Sequence, residues 1–528
     1  SQGADSVESR RAFYIGSRTD CQPRGRPRKM NTGKRRVSRW AAGLVALAGL
    51  AGCAVGPDYQ RPAMDLPSGY KEAGPWKTAQ PGVIDGSQPW WEAYGDPTLN
   101  GLIVAANGAN QTIQQAQAQY RQARAAADAA RAGFWPTVGA NVSAQRARAK
   151  SSGVVAVSNS YAAAIDVSWE PDLWGAVRRQ VEASDASTQA SEANLAAARL
   201  SIQAALAQDY LQLRTVDREK DLYARTLQAY ERTLKLTRSQ YDAGVALRSD
   251  VAQAEAQLKT AQAQAIDLDA SRHQLEHAIA ILTGRAPAQF SLAPLPPEQP
   301  WMLRVPAVPT GLPSDLLERR PDIAAAERQV ASANAAIGVA RAAYFPSLVL
   351  SASGGFGAAS FAQWFNAPGR VWSLGAALAQ TIFDGGLRRA RDAQAVAAFD
   401  ASAAQYKQTV LGAFQEVEDN LSTLRVLDDE ARAQDQAVAA SRLSEQLALA
   451  QYRAGTTTFL AVATAQALTL SNERNAVQLR GRQMVASVAL IKAVGGGWNA
   501  SALNTPDAQA LAAAGAAPAA PKSPTENE

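Results

Sequence analysis

His273 and His277 stand four residues apart with Glu276 between them, in the H-x-x-E-H spacing of some zinc peptidases. On a helix this spacing puts both imidazoles on one face. The sequence has 2 histidines in all, so a third ligand would have to be a carboxylate. The same segment carries Leu268, Leu275, Ile279 and Leu282 on a stripe suited to packing against another helix. The packing role is the stronger reading. No catalytic residue, metal or cofactor is expected, and a zinc-dependent hydrolase remains the remote alternative.

A second reactive group is a thiol. The chain has 2 cysteines, Cys21 and Cys53, which excludes a disulfide framework. Basic residues Lys34, Arg35, Arg36 and Arg39 precede a short apolar run from Ala41 to Leu50, followed by Leu50-Ala51-Gly52-Cys53. This resembles a bacterial lipobox, in which the cysteine takes diacylglycerol and becomes the mature N-terminus. The apolar run is about half the roughly 20 residues that a spanning helix needs. Residues 1–52 are therefore expected to be an N-terminal extension and lipoprotein signal peptide, with Met30 as the translation start. Ala54 follows the cysteine in place of Asp, which by resemblance to bacterial lipoproteins directs the chain to the outer membrane.

Charge follows the same division. Lys and Arg number 53 and Asp and Glu 47, for a net +6, yet residues 1–52 hold 11 basic and 3 acidic residues. The remainder is left with 42 basic and 44 acidic residues, a net −2. The basic excess lies in the leader, so nucleic-acid binding loses its main argument.

The elements that position these groups come in two copies. Tyr241-Asp242-Ala243-Gly244 recurs as Tyr452-Arg453-Ala454-Gly455, Phe134-Trp135-Pro136 as Tyr344-Phe345-Pro346, and Gly175 to Arg179 as Gly385 to Arg389. The offset is 210 or 211 residues each time, the mark of a duplicated structural unit. Each copy opens with a helical segment, about 97–132 and 312–343, closed by the aromatic-proline pair. Two strands with period-2 alternation follow, within about 134–172 and 345–384. Val138, Ala140, Val142 and Ala144 define one apolar face, and Tyr161, Ala163, Ile165, Val167 and Trp169 another. Leu348, Leu350 and Ala352, then Trp372, Leu374, Ala376 and Leu378, do so in the second copy. Next come two runs of 68 residues, 176–243 without Gly or Pro and 387–454 with only Gly412. Each would extend about 100 Å as a helix. Gly244 and Gly455 end them, and helical hairpins are expected over about 176–284 and 387–495.

Strands with one apolar and one polar face, about 10 residues per crossing, suit an outer-membrane barrel. Asp166 and Glu170 then face a lumen, because either would be costly in lipid. Four strands leave two open edges and cannot close alone. Two chains give eight strands and a filled interior; three give twelve and an open lumen, so a homotrimer is expected.

Cys53-Ala54-Val55-Gly56-Pro57-Asp58-Tyr59, Pro89-Trp90-Trp91 and Asp96-Pro97 resemble the start of the outer-membrane efflux lipoproteins. Leu317-Glu318-Arg319-Arg320-Pro321-Asp322-Ile323, Phe383-Asp384-Gly385-Gly386 and the two Tyr-x-x-Gly turns match as well. Over nearly all of residues 53–498 the chain resembles the TolC-type outer-membrane factor family, in its lipidated branch serving resistance-nodulation-division (RND) pumps. The resemblance implies a mainly α fold with a small transmembrane β part, a trimeric 12-stranded β-barrel continued by a 12-helix periplasmic α-barrel. It places Tyr241, Gly244, Tyr452 and Gly455 at the periplasmic tip that meets a membrane-fusion adaptor. It also makes Asp250 a candidate gate residue, while Ala461 and Thr464 stand where a second acidic ring would be. Arg319 and Arg320 are read as structural: Pro321 suits a first helical turn and Asp322 its positive end.

The domains expected are 53–311 for the first repeat, 312–498 for the second, and a disordered Ala/Pro-rich tail over 499–528. The function expected is passive conduction of small molecules from periplasm to exterior in a tripartite RND efflux system. Its partners are a homotrimer, an adaptor, an inner-membrane pump and outer-membrane lipid. The alternative is the channel of a type I protein secretion system.

Overall fold

Seven main helices and a single sheet repeat one plan in a computed structural model that describes residues 54–64, 67, 69–73, 89–151, 154–296, 306 and 315–504. Cys53, the leader and the tail beyond 504 lie outside the described residues. In chain order the main elements are α1 (Pro97–Ala109), α2 (Gln111–Ala132), β1 (Thr137–Ser151), β2 (Val154–Trp169), α3 (Ala176–Asp242) and α4 (Arg248–Leu282). The second copy comprises α5 (Pro321–Ala342), β3 (Ser347–Ala358), β4 (Arg370–Ala379), α6 (Leu387–Arg453) and α7 (Phe459–Ala493).

The duplication is metrically close. α3 and α6 have 67 residues each, and α4 and α7 have 35 each. At the start of both long helices an aspartate clasps an arginine and the first free backbone amides. Asp172 accepts from Val177 N and Arg178 N, both at 3.0 Å, and from Arg178 Nε at 3.1 Å. Asp384 accepts from Gly386 N at 3.0 Å, Arg388 N at 3.2 Å and Arg388 Nε at 2.6 Å. These bonds satisfy donors that a helix N-terminus leaves unpaired.

The helical hairpins are not of equal arms. By rise per residue, α4 and α7 reach about 52 Å against about 100 Å for α3 and α6. The upper part of each long helix is flanked by a helix from earlier in the same repeat, stacked end to end on the short arm. Asn110 makes the first joint: its Oδ1 accepts from Thr112 N at 2.9 Å and Ile113 N at 3.2 Å, while its Nδ2 donates to Leu282 O at 2.9 Å. One side chain thus caps the start of α2 and the end of α4. It also breaks the helix expected over 97–132 into α1 and α2. At the second joint buried Arg320 donates to Ala493 O at 3.0 Å, to Glu416 at 2.7 Å and to both oxygens of Asp322 at 3.0 and 2.6 Å. Pro321 and Asp322 occupy the first turn of α5, and Arg320 fills the structural role expected of it.

Apolar packing fastens the two repeats together. α3 packs on α2, α4, α5 and α7, and α6 on α5 and α7. One cluster surrounds Tyr210, whose hydroxyl donates to Asp96 at 2.5 Å; a second surrounds Tyr406; a third joins the hairpins near their turns through Tyr230, Leu258, Tyr452, Phe459 and Val462. The first residues assigned to a disordered tail are ordered. Residues Ala500–Asn504 form a 3-10 turn, and Leu503 packs with Trp498 against Ala193, Ala324 and Ala325. A leucine and a tryptophan beside an alanine-lined seam have apolar area to bury, which fixes these residues.

The four strands form one antiparallel sheet in the order β1-β2-β3-β4, with β1 and β4 as open edges. No helix among the described residues is long and apolar enough to cross a membrane.

Candidate functional site

The sheet's register sorts its side chains. Directly paired residues share a face. Val138, Val167, Ala352 and Leu374 form one row and Ala140, Ile165, Gly354 and Trp372 the next. The opposite face carries Gly139, Asp166, Ser353 and Ser373 in one row, and Thr137, Ser168, Ser351 and Gly375 in another. The apolar face is open: Val142 is 70% exposed, Leu374 76% and Trp372 78%. No described residue covers that surface, and an exposed apolar patch of this kind marks an interaction or membrane-facing site. Asp166 lies exposed on the small polar face, and Glu170 follows, exposed, just past the end of β2.

Two aromatic groups bracket the apolar rows. Near the helices, Trp174 donates to Pro346 O at 2.6 Å and stacks on Phe345 with centroids 4.9 Å apart; Trp169 donates to Phe134 O at 3.0 Å. At the far end Tyr161 meets Phe361 at 5.8 Å and Trp364 at 5.6 Å, and Trp364 stacks on Phe365 at 5.0 Å. Tyr161 and Trp169 lie on the same face of β2, about 27 Å apart at 3.4 Å per residue. That span suits the apolar height of an outer-membrane barrel, with aromatics at both interfaces. The far belt escaped the sequence reading because Phe361, Trp364 and Phe365 lie in the loop between β3 and β4.

The opposite pole is formed by the two hairpin turns. Gly244 at φ 75° and Gly455 at φ 74° end the long helices in the left-handed region. Gly244 N donates to Tyr241 O at 2.9 Å and Val245 N to Gln240 O at 2.8 Å; Gly455 N donates to Tyr452 O at 3.0 Å and Thr456 N to Gln451 O at 2.9 Å. The backbone symmetry does not extend to the side chains. Tyr241 is 43% exposed beside exposed Val245 and Leu247, whereas Tyr452 is 5% exposed. Tyr452 packs edge-on against Phe459 at 5.7 Å and donates to Thr237 Oγ1 at 3.4 Å. It therefore joins the hairpins and presents no surface at the tip. Asp250 sits in the first turn of α4, where its carboxylate accepts from Leu247 N at 3.3 Å. α7 has Ala461 at the matching place.

The histidine motif is differently engaged. Glu276 is buried, paired with Arg272 at 2.8 Å and accepting from Leu292 N at 2.8 Å. Arg272 also pairs with Asp217 at 2.8 Å, and Asp217 with Arg214 at 3.0 Å. This buried network fastens the segment after α4 onto the hairpin. His273 and His277 are exposed outside it.

An open sheet with an exposed apolar face, carried on two long helical hairpins, has the make-up of an envelope channel subunit. Comparison with known proteins agrees. Residues 102–285 and 312–496 match the family described as outer membrane efflux protein. The chain is 34% identical over 445 residues to the pyoverdine export outer membrane protein OpmQ of Pseudomonas aeruginosa, covering 82% of this chain and 93% of that one. It is 30% identical over 461 residues to the toluene efflux pump outer membrane protein TtgF of Pseudomonas putida, covering 85% and 95%. Among solved structures, the outer-membrane channel OprN aligns with a TM-score of 0.79 at 34% identity over 84% of this chain and 100% of that one. The chain belongs to the outer membrane efflux protein family. It is an outer-membrane channel protein of efflux.

Proposed function

We propose that three copies close the sheet into a 12-stranded barrel through the outer membrane, and that their helices form a 12-helix periplasmic tunnel. The observation that carries this reading is the open sheet: β1 and β4 are unpaired edges flanking an exposed apolar face. Lipid satisfies no backbone groups, so the edges must pair with other copies. Asp166 and the serine rows then line water, and Glu170 stands at the inner end of the lumen. The tunnel conducts small molecules passively; the driving force comes from an inner-membrane RND pump, coupled through a membrane-fusion adaptor at the turns around Tyr241, Gly244 and Gly455. The names of the pyoverdine and toluene export relatives support small-molecule cargo. Cys53 carries the lipid that sorts and orients the chain.

Planar-bilayer recording of the purified full chain, combined with its mass in detergent, tests the proposal. Discrete conductance from a species of three chains is expected; a non-conducting monomer would refute it. Capture of the matching adaptor by the full chain tests the tripartite assignment.

A further inference from the structure

Beyond Tyr161 the sheet narrows to the β1–β2 ribbon, because β3 stops pairing with β2 at Ala358 opposite Tyr161. The β1–β2 register continues without interruption to Ser151 opposite Val154. Alternation therefore places Arg146, Arg148 and Lys150 on the same face as Val138, Ala140 and Val142. All three are exposed, and their paired neighbours are Asn159, Val157 and Val155. Arg370, the first residue of β4, is exposed on this face one row inside Tyr161, opposite Phe356, and stands apart from the three. No Asp or Glu occurs between residues 137 and 165 or between 347 and 379. The sheet's cations thus gather at one end, on the membrane-facing side, without a counter-charge on any strand nearby.

The first of these cations stands two residues past Ala144, which pairs with Tyr161 in the outer aromatic belt. Arg146, Arg148 and Lys150 are then about 7, 14 and 20 Å outward of that belt along the strand. A soluble face with three unpaired cations needs no such belt beneath it. A face meeting lipid headgroups does, because aromatic rings mark the interface and charges must lie beyond it. Resting on the barrel reading above, we infer that Arg146, Arg148 and Lys150 form a binding face for phosphorylated glycolipid headgroups of the outer leaflet. The occupant is lipid-borne phosphate: the cations continue the lipid-facing rows, and the polar face that would meet free anions in the lumen carries none of them.

The test uses the full chain reconstituted into phosphatidylcholine vesicles doped with bis-phosphorylated lipid A, or with the same lipid A after phosphatase treatment. Lipid retained by the purified protein is measured by native mass spectrometry. Wild-type protein is expected to retain the phosphorylated form at least tenfold more than the dephosphorylated one, as expected from about 1 kcal/mol per basic residue near the surface. Arg146→Ser, Arg148→Ser and Lys150→Ser combined should abolish the preference while leaving single-channel conductance intact. Adding Gln145→Lys, Ala147→Lys and Ala149→Lys to that variant restores the charge on the opposite face and should not restore retention. Equal retention of both lipids, or restoration by the opposite-face lysines, overturns the inference. So does full competition by inorganic phosphate, which would mark a site for the free anion. Protein that inserts and conducts but shows no preference counts against this inference alone; protein that fails to insert counts against the barrel on which it rests.

Discussion

Gly56 and Gly338 meet backbone to backbone: a β-carbon on Gly56 would lie 2.5 Å from the Cα of Gly338. Gly56 also adopts φ 114°, open to glycine and costly for other residues. The irregular segment of residues 54–58 is pinned here across both repeats. Val55 N donates to Trp174 O at 3.2 Å, Arg179 donates to Val55 O at 3.3 Å and pairs with Asp58 at 3.0 Å, and Asn334 donates to Pro57 O at 3.0 Å. Gly56→Ala should cost about 2–3 kcal/mol, from strain and backbone collision together. Gly338→Ala would meet Cγ and Cδ of buried Arg179 at 2.7 and 2.9 Å and Val55 O at 2.9 Å, but it lacks the positive-φ strain of Gly56 and should cost less. Thermal unfolding of the two variants, followed by circular dichroism, checks the order; equal or reversed losses would contradict it.

Lipidation should act through this pinned segment. Cys53→Ser is expected to abolish palmitate labelling and to lower the amount of assembled channel in outer-membrane fractions, with unit conductance unchanged. In the barrel proposed above, the sheet and not the acyl chain forms the conducting wall. A variant that still takes up palmitate would remove Cys53 as the acceptor.

The two helix joints make a paired prediction. Asn110→Ala removes a cap that serves two helix ends and should cost about 1–2 kcal/mol. Arg320→Ala removes a buried cation bonded to Asp322, Glu416 and Ala493 O and should cost about 2–4 kcal/mol, since the carboxylates are partly hydrated. The joints share no partners, so the double variant should be additive within about 0.5 kcal/mol. Denaturant titration of the detergent-solubilised protein gives the comparison.

Asp250 has a structural duty that a gating test must preserve. Asp250→Asn keeps an acceptor for Leu247 N while removing the charge. If a ring of Asp250 carboxylates narrows the tunnel, this variant raises closed-state conductance in planar bilayers. Unchanged conductance would leave Asp250 as a helix-capping residue only. At the same tip, Val245→Asp should weaken adaptor capture by about tenfold, because it charges the exposed apolar patch beside Tyr241 and Leu247.

Buried Glu219 sets a pH dependence. Burial pushes its carboxyl up, only partly offset by the hydrogen bond from Gln478 at 3.2 Å and by Arg474. A carboxyl raised in the folded state gives stability that is complete below its ordinary range near 4.5 and is lost as pH rises through the folded value. Glu219→Gln should match wild type in thermal midpoint at low pH and exceed it at neutral pH. Parallel midpoint curves across that window would exclude this residue as the source.

Much of the fold was legible because it was written in long, regular patterns. The duplicated motifs, the 68-residue runs and the strand alternation each repeat one rule many times, and the register places the apolar residues on the face that alternation assigned. The joints were not legible. Asn110 and Leu282 carry no periodic signal, and a helix over 97–132 reads smoothly through the break. The tyrosines show a different limit. Tyr241 and Tyr452 stand in matching motifs, yet Tyr452 faces Phe459 across its own turn where Tyr241 has Arg248 in the corresponding place. Local sequence symmetry fixed the backbone turn, while the neighbours decided exposure. Cys53 lies outside the described residues, so its lipid remains a reading of the lipobox.

The joints also order the birth of the molecule. Asn110 must wait for Leu282, 172 residues later, and Arg320 for Ala493, 173 residues later. Pro57 waits longer still, since its partner Asn334 emerges 277 residues after it. Contacts this distant close slowly, and the apolar strands between them leave the translocation pore well before their partners do. The Asn110 joint can close once the first repeat has emerged, whereas the Arg320 joint must await nearly all of the second.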